Sequence, residues 1–212
     1  GLIPTIRELG VPVLEEVTAP AMFRIGSRKK PHNLYADTEL VREVVDSRGF
    51  KFLQPGPQPL YPFGFNQNNW DSGANKITIQ YSEFTTVIWK LDGNRYSRFI
   101  IDAYSSDKDA VAHNFISQDG NYSDILSTET IVVIQGALYK DKATTLPSIL
   151  TVGIGDLFIF NDGKYVQGNW RRTDISENFE FFDLNQNPIE VPPSSQWIHI
   201  VPNEGQITWS NS

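Results

Sequence analysis

The chain contains no cysteine, only three histidines and a single methionine, Met22. The lack of cysteine excludes thiol catalysis, disulfides and cysteine-based zinc sites. No run of 18 apolar residues occurs, so we expect no transmembrane segment in this chain. Because the sequence begins at Gly1 and its only Met stands at position 22, we interpret it as a processed product, a fragment or a trimmed chain.

Basic residues are fewer than acidic ones, with 18 Lys and Arg against 25 Asp and Glu, which gives a net charge of −7. A nucleic-acid-binding protein would show the opposite balance, so no nucleic-acid partner is expected. The 212 residues are 40% hydrophobic and 12% aromatic, which is typical of a globular chain. Its length is sufficient for one large β domain or slightly more, with a real core.

The positive charge that is present concentrates in the segment 28–35, which holds Arg28, His32 and Asn33. Pro31 favours an extended backbone before it, so this segment is predicted to be a loop or a strand end. Functional groups often lie on loops that a rigid scaffold holds in place. The alternative interpretation is a solvated basic loop that leads into a helix.

Residues 1–50 have mixed character. A short helix is predicted over residues 2–10 and a short strand over 11–17, and together they resemble the end of an α/β subdomain. A second helix is predicted from about 38 to 48, since Asp37 or Thr38 can cap it and Gly49 can stop it.

Residues 51–75 are rich in proline and aromatic residues and are predicted to form an extended connection. One interpretation is an aromatic surface for a sugar or a peptide. The other is a long loop whose aromatic side chains dock onto the core.

Period-two alternation dominates residues 76–202, which predicts eight to ten short antiparallel strands. Asp92-Gly93 and Asp162-Gly163 are typical of hairpin turns, and the apolar run 130–138 indicates a central strand buried on both faces. Arg98 falls beside apolar neighbours in one strand. The predicted fold class is α+β but mostly β, an antiparallel sandwich or partly closed barrel after a small helical or α/β remnant. Residues 104–127 are polar and are predicted to form a loop, and residues 203–212 are predicted to be a loose tail.

No catalytic motif stands out. The sequence lacks a Gly-x-Ser-x-Gly elbow, and His32, His113 and His199 have no metal-binding spacing, so no metal or cofactor is expected. His199 alternates with Trp197 and Val201, which favours a packed histidine. Trp170 beside Arg171 could hold an anionic or sugar-like ligand, or Trp170 could pack in the core with the arginines outside.

Several segments, in order, resemble the YerB-like family of bacterial extracytoplasmic lipoproteins, a family of unknown function. These segments are Arg28…Pro31-His32-Asn33-Leu34-Tyr35, Tyr96…Arg98, Ile131-Val132-Val133-Ile134, Gly163-Lys164…Gly168-Asn169-Trp170-Arg171 and Trp197-Ile198-His199-Ile200-Val201-Pro202. Pro193-Ser194-Ser195 departs from the Pro-Gly usual before the final tryptophan, and residues 104–127 look longer than usual. The family's Asp-x-x-Gly hairpin is also replaced, by Asp183-Leu184-Asn185-Gln186-Asn187.

The resemblance implies two domains, a location outside the cytoplasmic membrane, and a chain that starts inside the first domain. It supplies no catalytic residues. The motif matches leave six candidate ligand- or partner-binding residues: Arg28, His32, Asn33, Arg98, Trp170 and Arg171.

Two functions remain open. The favoured one is a non-enzymatic cell-envelope protein that binds a partner protein or a wall polymer. The alternative is a hydrolase or transferase that acts on cell-wall glycan or peptide, with His32 as base. Self-assembly, or association with an upstream fragment of the same precursor, is a further interpretation of the first 17 residues.

Overall fold

A computed structural model describes residues 21–27, 29–30, 33–49, 58–65, 70–102, 109–116, 121–142, 145–203 and 205–211. The elements in chain order are β1 (Met22–Arg24), β2 (Leu34–Ala36), α1 (Thr38–Ser47), β3 (Asp71–Ser72), β4 (Lys76–Gln80), β5 (Thr85–Asp92), β6 (Arg95–Asp102), β7 (Val111–Ala112), β8 (Asn114–Ile116), β9 (Tyr122–Ile125), β10 (Ser127–Thr128), β11 (Thr130–Gly136), β12 (Leu138–Lys140), β13 (Pro147–Ile149), β14 (Gly153–Asn161), β15 (Lys164–Arg172), β16 (Glu180–Asp183), β17 (Gln196–Pro202) and β18 (Gln206–Ser210).

Two compact units are present. The smaller one holds the described residues of segments 1–57 and 114–124, with the antiparallel pairs β1–β2 and β8–β9 and the helix α1. The side chain of Asp37 accepts hydrogen bonds from the backbone N–H groups of Glu39 and Leu40, which satisfies two donors that the first turn of a helix leaves unpaired. Helix α1 therefore begins where the sequence predicted it.

The larger unit, built from segments 58–113 and 125–212, holds two mostly antiparallel sheets. The first sheet has the order β10-β6-β5-β4-β18, with β7 also paired to β6. The second has the order β16-β15-β14-β11-β17, with β3 paired to β15. In the second sheet β11 and β17 run parallel, because the chain leaves β11 and comes back from the far edge of the sheet before it forms β17.

Two-residue turns set the register of the long hairpins. Asp92 pairs with Arg95 across the β5–β6 turn, and Asn161 pairs with Lys164 across the β14–β15 turn. Asp162 and Gly163 both have positive φ, 49° and 73°, as a type I′ turn requires. The Tyr96 hydroxyl accepts a hydrogen bond from the Gly163 N–H at 3.0 Å and so ties one hairpin to the other sheet.

The second sheet is buried on both faces. Ile131, Val133, Phe158 and Phe160 pack against Trp89 and its neighbours in the first sheet, whereas the other face is covered by a second apolar cluster. That second cluster comprises Tyr61, Val132, Ile134, Leu157, Ile159, Val166, Trp170, Phe179, Phe181, Ile189 and Val191. The prediction that 130–138 holds a central strand buried on both sides is confirmed for β11.

The predicted mostly-β α+β sandwich is confirmed, since strands dominate and α1 is the one helix of the described residues. None of the sheets in that part of the chain closes on itself, which decides between the two architectures that the sequence left open. No helix found there is both long and apolar enough to cross a membrane.

Two local expectations are wrong. Residues 203–212 are not a loose tail, because Gln206–Ser210 forms β18 and pairs with β4, with Trp209 packed against the core. Segment 104–127 is not only loop, because β7, β8 and β9 lie within it. The helix and strand predicted over residues 2–17 lie outside the described residues.

For the connection 51–75 the sequence left two interpretations, an aromatic ligand surface and a loop whose aromatic side chains dock onto the core, and each fits some of the described residues. Tyr61 is 2% exposed and packs in the second apolar cluster, whereas Phe63 and Phe65 are 43% and 83% exposed. The segment therefore docks onto the core through Tyr61 and leaves other aromatic rings in solvent.

Candidate functional site

The structure separates the residues that the sequence grouped as candidates. Arg28 and His32 lie outside the described residues. Asn33 is buried in the smaller unit, where its Nδ2 donates to the Ile25 carbonyl at 3.1 Å and its Oδ1 accepts from Arg24 at 2.6 Å. The amide of Asn33 thus closes the loop between β1 and β2.

Trp170 and Arg171 are neighbours on β15, so their side chains lie on opposite faces of the sheet. Trp170 is 1% exposed and its indole N–H donates to the Gln135 carbonyl at 2.7 Å. Arg171 is exposed, with its Nε 2.8 Å from a Glu180 oxygen and its guanidinium 4.8 Å from the centre of the Phe182 ring. The two side chains do not converge on one ligand position.

Arg98 is the one candidate among the described residues that lies at the centre of a polar cluster, which we call the Arg98 cluster: Arg98, His113, His199, Tyr81, Trp89 and Trp197. Arg98 is 9% exposed, on β6 where this strand faces β17. Its guanidinium carbon lies 4.7 Å from the centre of the Trp197 ring and 5.7 Å from that of Trp89. One terminal nitrogen contacts Nδ1 of His113. Aromatic faces stabilise a cation that has been removed from water.

His199 connects the two sheets inside the Arg98 cluster. It is fully buried, its Nε2 accepts from the Trp89 indole N–H at 2.9 Å, and its Nδ1 lies 2.5 Å from the Tyr81 oxygen. An indole N–H only donates, so Nε2 carries no proton and the proton of the neutral ring resides on Nδ1. Nδ1–H therefore donates to the hydroxyl oxygen of Tyr81. The packed histidine predicted from the sequence is confirmed.

Burial governs the titration of the Arg98 cluster. Burial, together with a smaller effect of the nearby positive charge of Arg98, lowers the pKa of His199 to about 3. It also raises the pKa of Tyr81 to about 12, against a smaller opposing effect of Arg98. Burial lowers the pKa of Arg98, while Tyr81 opposes that shift. At neutral pH the imidazole of His199 is neutral, so it is not a base that exchanges protons near pH 7.

A cleft of about 220 Å³ lies on the opposite side of the sandwich, between β15, β18 and the end of β16. We call it the β15–β18 cleft. Tyr165 and Trp209 line it, with ring centres 4.8 Å apart and planes inclined by 53°. The remaining lining side chains are mostly polar: Asp71, Gln167, Asp183 and Asn185, with Val166 and Leu184.

Asp183 organises the turn at the edge of the β15–β18 cleft. One carboxylate oxygen accepts from the backbone N–H groups of Asn185 and Asn187 at 2.9 and 2.8 Å, and the other accepts from Asn187 Nδ2 at 3.0 Å. Hydrogen bonds from the Asn187 side chain and backbone lower the pKa of Asp183, so this group is ionised at neutral pH. It can accept hydrogen bonds from a ligand but is unsuited to be a general acid.

Sequence reasoning missed the β15–β18 cleft because its residues come from four separated segments. Asp71 enters through the pairing of β3 with β15, and Trp209 through the pairing of β18 with β4. One signal was available, since Ile207 and Trp209 continue a period-two pattern beyond Gly205.

Comparisons with known proteins agree with this architecture. A family model described as "Protein of unknown function (DUF3048) C-terminal domain" matches residues 77–198. The crystal structure of the YerB protein from Bacillus subtilis superposes with a TM-score of 0.68 at 16% sequence identity, over 97% of this chain and 67% of that one. At this identity the likeness concerns the fold. No curated protein matches the chain.

Proposed function

The chain belongs to the family of proteins of unknown function (DUF3048), and from that premise we propose that it is a non-enzymatic binding module of the cell envelope, which holds a wall polymer in the β15–β18 cleft. The observation that carries this proposal is the pairing of two half-buried aromatic rings, Tyr165 and Trp209, with a polar rim in one concave site.

The lining of the β15–β18 cleft suits a sugar ring. Ligand sites are concave, with aromatic walls and a few polar groups that fix orientation. The C–H groups of a sugar ring pack against the negative face of an aromatic ring, and its hydroxyls bond to carboxylates and amides. The volume of about 220 Å³ is below the roughly 300 Å³ at which pockets enclose drug-sized ligands, so it suits one unit of a longer polymer.

Charge narrows the ligand class. Asp71 and Asp183 supply negative charge, and no Lys or Arg is among the side chains that line the β15–β18 cleft in the described part of the chain. An anionic polymer would be repelled, whereas a neutral sugar or one with a free amino group would be tolerated or attracted. The favoured ligand is therefore a neutral or amino-sugar glycan.

Binding has more support than hydrolysis. A glycoside hydrolase needs one carboxylic acid whose pKa is raised so that it can protonate the leaving group, and the pKa of Asp183 is shifted the other way. The alternative hydrolase or transferase depended on His32 as base. Since His32 lies outside the described residues, that alternative remains a prediction.

The proposed location is outside the cytoplasmic membrane. It rests on the resemblance of the sequence segments to YerB-like lipoproteins. Protease accessibility in intact cells, with a cytoplasmic marker protein as reference, would test it. Cleavage only after the cells are lysed would contradict it.

The test of the proposed binding is calorimetry with two soluble probes, a β-1,4-linked N-acetylglucosamine tetramer and its de-N-acetylated glucosamine form. We expect saturable binding of millimolar strength or tighter, which corresponds to about −4 kcal/mol. Tyr165→Ala should weaken binding of both probes about fivefold, since an aromatic contact contributes about 1 kcal/mol. Asp71→Asn should weaken only the binding of the glucosamine form.

Tyr139→Ala is the matched control, because Tyr139 is an aromatic residue on β12, outside the β15–β18 cleft, and is 41% exposed. It should leave both affinities unchanged. No saturable binding of either tetramer, or an equal loss in Tyr139→Ala and Tyr165→Ala, would rule the proposal out.

A further inference from the structure

The Arg98 cluster holds two hydrogen-bond donors that have no acceptor among the described residues. The first is the Nε–H of Arg98, which is buried and makes no hydrogen bond. Buried donors are nearly always paired with protein, water or an ion, because an unpaired one loses its hydration without compensation.

The second donor is the hydroxyl proton of Tyr81. The hydroxyl oxygen already accepts from His199 Nδ1–H, as the indole N–H of Trp89 dictates. The hydroxyl proton of Tyr81 therefore points to another acceptor, and the described part of the chain supplies none. Tyr81 and Arg98 are close enough for each to influence the pKa of the other.

The charge of Arg98 is likewise unbalanced. Its contacts are the imidazole of His113 and two indole rings, and no Asp or Glu of the described residues forms an ion pair with it. A guanidinium does not lose its proton in proteins. By contrast Arg95, three residues earlier on β6, lies 3.1 Å from a Glu129 oxygen. A nearly buried cation normally has a paired anion.

We propose that Arg98 and Tyr81 form a binding site for a small oxyanion, a carboxylate or a phosphate group. One oxygen would accept from Arg98 Nε–H, and the same group would accept from the Tyr81 hydroxyl. The rings of Trp89 and Trp197 keep water from the guanidinium, which strengthens its attraction for an anion.

This site is distinct from the β15–β18 cleft and does not depend on it. The cleft has acidic groups at its rim and suits neutral or cationic ligands, whereas the Arg98 cluster is positive. The oxyanion would be a free small molecule or a charged group on a longer ligand. The two sites can therefore be tested with different probes, and either proposal can fail alone.

The experiment is a titration of the intact chain with acetate and, separately, with inorganic phosphate, at constant ionic strength set with chloride. Tryptophan fluorescence is one readout, because two indole rings contact the guanidinium. The ¹⁵N NMR signal of the Arg98 Nε–H is the other, and a new hydrogen bond should shift it. A saturable response to acetate alone identifies a carboxylate site, and a response to phosphate alone identifies a phosphate site.

Tyr81→Phe should weaken the anion affinity about tenfold, the loss expected for one hydrogen bond to a charged group. Arg98→Lys should weaken it further, because an ammonium group cannot reproduce the side-on geometry of a guanidinium. Arg171→Gln removes an exposed arginine on another strand and should change nothing. No saturable response in the wild-type chain, or an equal response in Tyr81→Phe and wild type, overturns the proposal, so it can be tested even if Arg98→Lys does not fold.

Discussion

The two sides of the sandwich in the larger unit use aromatic side chains in opposite ways. Where β6 faces β17, the rings of Trp89 and Trp197 enclose the positive charge of Arg98, and His199 is buried with them. Where β15 faces β18, Tyr165 and Trp209 remain half-buried beside acidic and amide side chains in an open cleft. One architecture can thus support a closed cationic site and an open acidic one.

The difference follows from which groups must leave water. A buried cation loses its hydration, so it requires aromatic faces or an anion to compensate. At the open cleft, Asp71 stays exposed to solvent, and Asp183, which is 8% exposed, is stabilised by local hydrogen bonds from Asn185 and Asn187. We therefore expect the Arg98 cluster to dominate stability and the β15–β18 cleft to affect ligand binding more than folding.

The largest effect is expected in the pH dependence of the free energy of unfolding, through the buried His199 of the Arg98 cluster. The folded pKa of His199 is about 3, below its usual value of 6.5, so below pH 6.5 the unfolded chain takes up a proton that the folded chain does not. Stability contributed by His199 is thus complete above pH 6.5 and is lost as the pH falls towards 3. Between pH 6.5 and about 4.5 the free energy of unfolding should fall by roughly 2 kcal/mol from this group.

Urea unfolding of wild type and His199→Gln at both pH values measures this contribution. The difference between their slopes isolates His199 from the other histidines. The lowered pKa values of Asp174 and Asp183 stabilise the folded chain, and this contribution is lost only as the pH falls below the usual carboxyl value of 3.8. Parallel slopes for the two proteins would mean that His199 is protonated in the fold.

The next largest effect concerns the cleft side. An added Cβ at Gly168 would lie 1.9 Å from the Phe182 carbonyl oxygen, so Gly168→Ala must separate β15 from β16. Overpacking of this kind costs about 1–3 kcal/mol. Asp183 pairs with Gly168, so glycan affinity should fall as well, while the anion response of the Arg98 cluster persists.

Gly26→Ala is a suitable control, because a Cβ added there would meet nothing within 4 Å and the φ of Gly26 is not in the left-handed region. Thermal unfolding and the two titrations would be compared for wild type and both glycine variants. Loss of the anion response in Gly168→Ala would show that the two sides of the sandwich are coupled.

A smaller effect is expected from Trp197→Leu on the closed side. The substitution removes a ring whose centre is 4.7 Å from the Arg98 guanidinium, and a desolvated contact of this kind is worth about 1–2 kcal/mol. Trp197→Phe retains a ring and should lose less. Denaturant unfolding of both variants would test this, and equal losses would indicate that hydrophobic packing is the whole contribution of Trp197.

The smallest effect is expected for Arg171→Gln, which removes an ion pair with Glu180 on the surface. Both side chains are about half exposed, so solvent screens the pair and the change in unfolding free energy should stay below about 1 kcal/mol. Neither titration should change. A larger loss in unfolding experiments would show that the contact with Phe182 matters more than the ion pair.

The sequence predicted features that local chemistry determines. Asp162-Gly163 has the residues that a type I′ turn requires, Asp37 is a helix cap, and the β-branched run of β11 suits a strand between two apolar layers. These features depend on neighbours in the chain. The fold class could therefore be predicted from the amino-acid sequence alone.

The candidate sites were harder to predict from the sequence, because pairing between strands that are distant in the chain creates them. Arg98 was identified from its apolar neighbours, but its contact with Trp197 depends on how β17 lies over β6. The role of Trp209 was missed because its strand, β18, begins only after Gly205, close to the end of the sequence, where a loose tail was expected. Trp170 and Arg171 looked like one group only because they are adjacent, which on a strand places them on opposite faces.

The pairing of the last two strands has a consequence for folding kinetics. β17 pairs in parallel with β11, and β18 pairs with β4, so each sheet recruits one of its strands from residues 196–210. Contacts between residues so distant in the sequence form slowly, because the loop between them must be ordered first. During synthesis the edge of β11 stays unpaired until β17 has been made, and the edge of β4 until β18 has been made, so both unpaired edges can associate with other strands in that interval.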